Sequence, residues 1–201
     1  MKKFGLILAI AAIAGAAQAK NGNVDRLLEG KNTGMGGANS RSISYMTVNV
    51  SNLPSWDLYG DAQNIVQGYN IGANSHVVGI GWDVTLEADG FSWLDDMKVS
   101  FEDSTQALGV WLTPGVGDTF AGVSTYSSGG VIDLIQYALD FNVGGDGTLR
   151  MEYFEGYDDY SNAIDGYWLG GTLTIAYEQV PAPSAMALLG GAGLLVARRR
   201  R

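Results

Sequence analysis

The sequence predicts an all-β chain: an antiparallel, jelly-roll-like β-sandwich flanked by an N-terminal signal helix and a short C-terminal hydrophobic helix. Three observations lead to this reading. Eight or nine short runs rich in β-branched and aromatic residues alternate between apolar and polar positions, the period of a half-buried strand. Turn-forming Gly, Asp, Asn and Ser separate them, and Gly alone contributes 29 of 201 residues. No body segment of ten or more residues reads convincingly as a helix, and no repeat of fixed period points to a solenoid or propeller.

The elements follow in order. The opening MKKFGLILAIAAIAGAAQAK has two lysines, an apolar run and the small residues Ala17 and Ala19 around Gln18. This is the pattern of a secretory signal peptide over residues 1–19, cleaved after Ala19. Its Ala, Leu and Ile content favours a helix. Residues 20–41, crowded with Gly and Asn, read as a flexible lead-in. A sandwich domain is expected over residues 42–179, with strands in SISYMTVNVS, AQNIVQGYNI, SHVVGIGWDVTLEA, WLDDMKVSFED, GVWLTP, DTFAGVSTYS, VIDLIQYALDF, GTLRMEYFEGY and GYWLGGTLTIAYEQ. VIDLIQYALDF also has helical spacing, but the preceding Gly129-Gly130 and its β-rich neighbours favour a strand.

Residues 180–201, VPAPSAMALLGGAGLLVARRRR, carry no charge before the four terminal arginines. As a helix, residues 184–197 would span roughly 20 Å, short of the roughly 30 Å hydrocarbon core of a bilayer. The arginines would remain on the cytoplasmic side and the exported body outside.

Pro181, Ala182 and Pro183, then an apolar Gly-rich stretch, then Arg198, Arg199, Arg200 and Arg201 resemble the PEP-CTERM sorting signal. Ala182 stands where that pattern usually carries Glu. The resemblance covers about 22 residues. It implies an exosortase-type processing enzyme as partner, a transient inner-membrane anchor before the tail is removed, and delivery to the cell envelope, surface or extracellular matrix. The body more faintly resembles galactose-binding-like and subtilase P-domain sandwiches, along residues 77–86 and DGYWLGGTLTI at 165–175. That likeness implies the sandwich fold and no activity.

Charge and composition narrow the function classes. The formal net charge is −9, but six of the 12 basic residues lie in the two terminal segments, leaving six against all 21 acids in the body. A body charge of −15 does not suit nucleic acid, whose phosphates need Lys and Arg. The absence of Cys removes disulfides, thiolate metal sites and thiol catalysis.

Four sets of residues carry candidate chemistry. His76, the single histidine, has no Gly-x-Ser-x-Gly elbow to serve and reads as an ordinary residue at a strand start. Asp158, Asp159 and Asp165, with Glu155 nearby in FEGYDDYSNAIDGYW, are candidate calcium ligands, hard oxygens on a loop without the EF-hand order. Glu87, Glu102, Glu152 and Glu155 lie on or near strands and could pair for glycoside hydrolysis if two came within about 5–10 Å. Trp56, Trp93 and Trp168, near turns, are candidates for sugar stacking, whereas Trp82 and Trp111 fall in apolar runs and read as core. No catalytic motif is present, so no catalytic residue is assigned. The expected function is a structural or adhesive surface protein. A carbohydrate-binding module of the same fold is the alternative, and a weak secreted glycoside hydrolase the second.

Overall fold

Alternation sets the layers. Along GTLRMEYFE the residues Leu149, Met151 and Tyr153 are fully buried in the core, and Arg150, Glu152 and Phe154 point the other way. The same parity holds in MKVSFED, where Met97, Val99 and Phe101 face in. In the computed structural model, which describes residues 10–14 (backbone only), 42–161 and 163–180, such strands build two antiparallel sheets. The strands are β1 (Ile10–Ala14), β2 (Ile43–Asn49), β3 (Leu53–Ser55), β4 (Ile65–Asn70), β5 (His76–Ala88), β6 (Met97–Asp103), β7 (Leu108–Leu112), β8 (Gly122–Ser127), β9 (Ile132–Asp133), β10 (Phe141–Asn142), β11 (Thr148–Glu155) and β12 (Gly166–Glu178).

One sheet has the order β1-β7-β6-β11-β4. The other runs β10-β5-β12-β2, with β8 and β9 also paired to β5 and β3 to β12. The two long strands β5 and β12 form its spine, pairing from Gly166↔Ala88 to Glu178↔His76 with bulges at Trp168/Gly170 and Ala176/Tyr177. Val77, Ile80, Trp82, Val84, Leu86, Trp168, Leu173 and Ile175 from this sheet meet Phe101, Val110, Leu149, Met151 and Tyr153 from the other in one core. Trp168 and Tyr153 pack edge to face across it, with centroids 5.3 Å apart. The molecule is therefore an all-β sandwich.

Glycine is required where a strap crosses the second sheet. A Cβ on Gly81 would lie 2.7 Å from the Gly130 carbonyl oxygen, and one on Gly79 2.6 Å from a Val131 methyl. The strap at 129–131 can lie flat on β5 only because both side chains are missing.

Several expectations are corrected. Ile10–Ala14 is a strand paired to β7 from Ile10↔Leu112 to Ala14↔Leu108, not part of a signal helix. An open strand edge offers a ladder of hydrogen bonds that a short isolated helix cannot match. VIDLIQYALDF is not one strand. It breaks into β9, a 3₁₀ turn at Ile135–Tyr137 and β10, because Leu134 turns into the core and Ala138 takes a left-handed conformation at φ 55°. The short β3 was missed, since three residues centred on Pro54 do not read as a strand. The cleavage residues Ala17 and Ala19, the lead-in and the sorting residues Pro181 to Pro183 and Arg198 to Arg201 lie outside the described residues, as does the expected C-terminal helix. Among the described residues, no helix is long and apolar enough to cross a membrane.

Candidate functional site: two acid clusters and an aromatic loop end

The described body contains two cations besides His76, Lys98 and Arg150. Arg150 lies on the outer face of the first sheet. The register places Arg150 opposite Glu102 and Glu152 opposite Ser100 on the neighbouring strand. The guanidinium donates to Glu102 through Nη1 and to Glu152 through Nη2, and both carboxylates are fully buried. The 56–64 loop folds over them. Tyr59 donates its hydroxyl to Glu102 at 2.8 Å, the Gly60 amide donates to Glu152 at 2.6 Å, and Asn64 Nδ2 donates to Glu152 at 2.8 Å. Tyr59 packs on Trp111 and Phe154 at 5.1 and 5.3 Å. Burial and the Glu102 hydrogen bond push the Tyr59 hydroxyl well above its usual range. Despite the cost of its own burial, Arg150 is held more firmly protonated by its two acids.

Two of the four carboxylates considered for glycoside hydrolysis, Glu102 and Glu152, are thus brought together, but onto a shared arginine and away from solvent. Glu87 lies on the outer face of β5, half-buried, opposite Val123. Glu155 faces inward at the far end of β11.

Around Glu155 lies a second acid group. Two residues beyond Tyr153, Glu155 keeps the core-facing parity and is 1% exposed. Burial raises its pKa well above the ordinary value, and the charges of Asp165 and Asp96 raise it further. The neighbouring Ser55 hydroxyl and the charge of Lys98 act to lower it. Asp165, fully buried, is pushed up to about 6 by burial and by Asp158 and Asp159, against the hydrogen bonds that its carboxylate accepts from the Asp159 and Tyr160 amides at 3.3 and 3.1 Å. Asp57 is raised by burial and then by Asp158, and Asp96 by burial, with Asp159 adding to it. One oxygen of Asp158 is buried without a partner. Lys98 donates instead to the Asp95 carbonyl at 2.8 Å. The three sequence-predicted calcium candidates, Asp158, Asp159 and Asp165, therefore share one loop and one electrostatic neighbourhood. Among the described residues, no three His, Asp or Glu side chains are already arranged as a metal cage. Sequence reasoning placed Glu155 near this group but did not foresee its burial, which follows from the inward parity of β11.

The same end of the sandwich displays aromatics. The loops at 89–96, 114–121 and 156–165 are tied together by Leu94 N to Phe120 O at 3.1 Å, Asp95 N to Asp118 O at 3.3 Å and Gly156 N to Asp96 O at 2.7 Å. Phe91 stacks loosely on Tyr160 at 6.2 Å, and its amide donates to the Tyr160 hydroxyl at 3.0 Å. Gly90, at φ 57°, leaves room for that hydroxyl, which any Cβ would strike. Phe91, Trp93, Phe120 and Tyr157 remain 77%, 46%, 53% and 64% exposed.

Of the sugar-stacking candidates, Trp93 is therefore presented to solvent and Trp56 is half-buried. Trp168 is corrected: it is fully buried, because the bulge after it leaves its ring on the core side. Trp82 is core as expected, whereas Trp111 faces outward, half-buried beneath Tyr59 and Phe154. His76 sits at the start of β5, its Nε2 2.7 Å from Asp140 and its Nδ1 3.7 Å from Glu178.

No known family profile and no curated protein matches the chain. Among solved structures it is similar to the infectious bursal disease virus VP2 subviral particle, at 10% identity over 67% of this chain and 33% of that one, with a TM-score of 0.35. It is also similar to the T13 particle of the same virus, at 11% identity over 76% of this chain and 39% of that one, with a TM-score of 0.32. The chain thus spans well under half the length of these viral chains.

Proposed function

We propose that this is an exported, envelope-sorted protein of the cell surface or extracellular matrix, with a structural or adhesive role. In this reading the sandwich has the jelly-roll arrangement. The two terminal segments direct export and retention: the signal peptide is removed, the tail anchors the chain in the inner membrane for a time, and an exosortase-type enzyme processes it. The observation that carries the adhesive part is the aromatic loop end. Four large rings stay exposed on loops cross-tied by backbone hydrogen bonds, which costs hydrophobic free energy unless a partner covers them.

A polysaccharide is the favoured partner, which makes the carbohydrate-binding module the second reading. Aromatic faces stack on sugar rings, and the nearby Asp95 and Asp118 can accept from sugar hydroxyls. Hydrolysis is disfavoured: Glu102 and Glu152 are closed from solvent and held by Arg150, so neither is free to protonate a glycosidic oxygen.

A glycan array with the wild type and Trp93→Ala tests the binding surface. Polysaccharide binding that falls at least tenfold in the variant supports it, and identical binding removes it. Mass spectrometry of the protein from its host tests sorting: cleavage after Ala19 and loss of the apolar tail are expected, and an intact tail would refute processing.

A further inference from the structure

Strand β7 takes its outer neighbour from the N-terminal segment. Its sequence, LGVWL, has no charge and no proline, and a valine and a tryptophan suit it to an extended backbone. On one side it pairs with β6, from Val99↔Leu112 to Glu102↔Gly109. On the other it pairs with β1, from Ile10↔Leu112 to Ala14↔Leu108. With β1 alongside, Val110 and Leu112 are buried and Leu108 stays exposed.

β1 lies within residues 1–19, the segment proposed above to be cleaved on export, and the inference rests on that reading. Cutting after Ala19 takes β1 away. The amides and carbonyls on that side of β7 then lose their partners, and the flank of Val110 and Leu112 opens to water. A strand edge in that condition is a template for another strand. Lysine, proline or a bulge commonly blunts such an edge. β7 has none of these, and its register with both neighbours runs without a shift. Residues 104–117 carry no charge, so two acidic copies can meet there without setting carboxylates face to face.

We infer that the β7 edge, opened by loss of the leader, pairs with the β7 edge of a second copy of this chain. Two identical antiparallel strands close on a two-fold axis, which satisfies both edges at once and stops at a dimer. Val110 of one copy then faces Val110 of the other, and Leu108 faces Leu112. Each copy adds its β4-β11-β6-β7 order to one continuous sheet. Until the leader is cut, β1 keeps the edge covered. Five residues from each copy make a small interface, so a dissociation constant on the order of 10 µM is expected.

Every residue of the described core lies between Val48 and Ile175, so a chain from Lys20 to Val180 keeps that core whole. The test is sedimentation of this chain, 20–180, and of 1–180, between about 1 and 500 µM. A reversible monomer–dimer equilibrium is expected for 20–180, and a monomer for 1–180. Leu108→Lys sets a charge on the exposed edge and should weaken the dimer about tenfold or more. The same change at exposed positions of two other edge strands, Val66→Lys on β4 and Tyr45→Lys on β2, should leave it unaltered. A synthetic peptide of residues 8–16, with a lysine added at each end for solubility, should dissociate the dimer by taking the place of β1. A monomer at every concentration overturns the proposal. So does an equally strong dimer of 1–180, or a dimer lost in Val66→Lys or Tyr45→Lys and kept in Leu108→Lys. Peptide binding by a 20–180 chain that stays monomeric gives the edge to a strand other than a second copy's, which also overturns it. Both chains have defined ends, so an uncut leader in the host would remove the export reading without altering the sedimentation result.

Discussion

The two acid clusters solve the same problem in opposite ways. At Arg150, two buried carboxylates share one guanidinium and accept further bonds from Tyr59, Gly60 and Asn64. At Glu155, a buried carboxylate faces the acids Asp165 and Asp96, and the Ser55 hydroxyl and the Lys98 charge offset burial only in part. The first cluster is complete and electrostatically closed. The second is open: it holds protons. Burial alone therefore does not mark a functional site. The useful mark is burial without compensation.

The largest effect should come from breaking the complete cluster. Arg150→Met strands two buried carboxylates and should cost about 3–5 kcal/mol in denaturant unfolding. A loss under about 1 kcal/mol would mean that the two carboxylates do not depend on the guanidinium.

The open cluster should show itself in pH dependence. Glu155 lies well above the ordinary carboxylate pKa and Asp165 at about 6, both above unfolded values near 4. The folded state then keeps protons that the unfolded state releases, so stability falls as pH rises from about 4 through 6 and beyond. Glu155→Gln should flatten that decline and stabilise the protein at pH 8 by more than about 1.4 kcal/mol, the equivalent of one pKa unit. A parallel pH profile in the variant would show that Glu155 is not the titrating group. Asp165→Asn keeps one acceptor for the Asp159 and Tyr160 amides, so it should cost about 1 kcal/mol at pH 5, less at pH 8, in thermal melts.

The smallest stability effect belongs to the rim. Trp93→Ala should change stability by less than about 0.5 kcal/mol. A larger loss would make Trp93 a packing residue instead of a contact for a partner.

Much of this was legible from the order of residues. The strands SISYMTVNVS, MKVSFED and GTLRMEYFE, and the inward parity of each, follow from alternation, which is a property of neighbours two apart. Trp82 could be placed in the core because its run is apolar. Trp168 could not: its neighbours suggest a turn, and only the bulge beside Gly170 sends its ring inward. Trp111 looked like core because its run is apolar, but its parity faces the 56–64 loop, whose docking is a long-range event.

The sites divide along the same line. Side-chain alternation, turn chemistry and the uneven charge are local, and the chain order alone decided them. Which carboxylates meet was decided in three dimensions. Glu102 and Glu152 lie fifty residues apart and join through strand register, while Glu155 gathers acids from two loops. A strand dictates which way its side chains point. What they meet depends on which strand lies beside it and which loop folds over it, and that is settled by burial of the whole core.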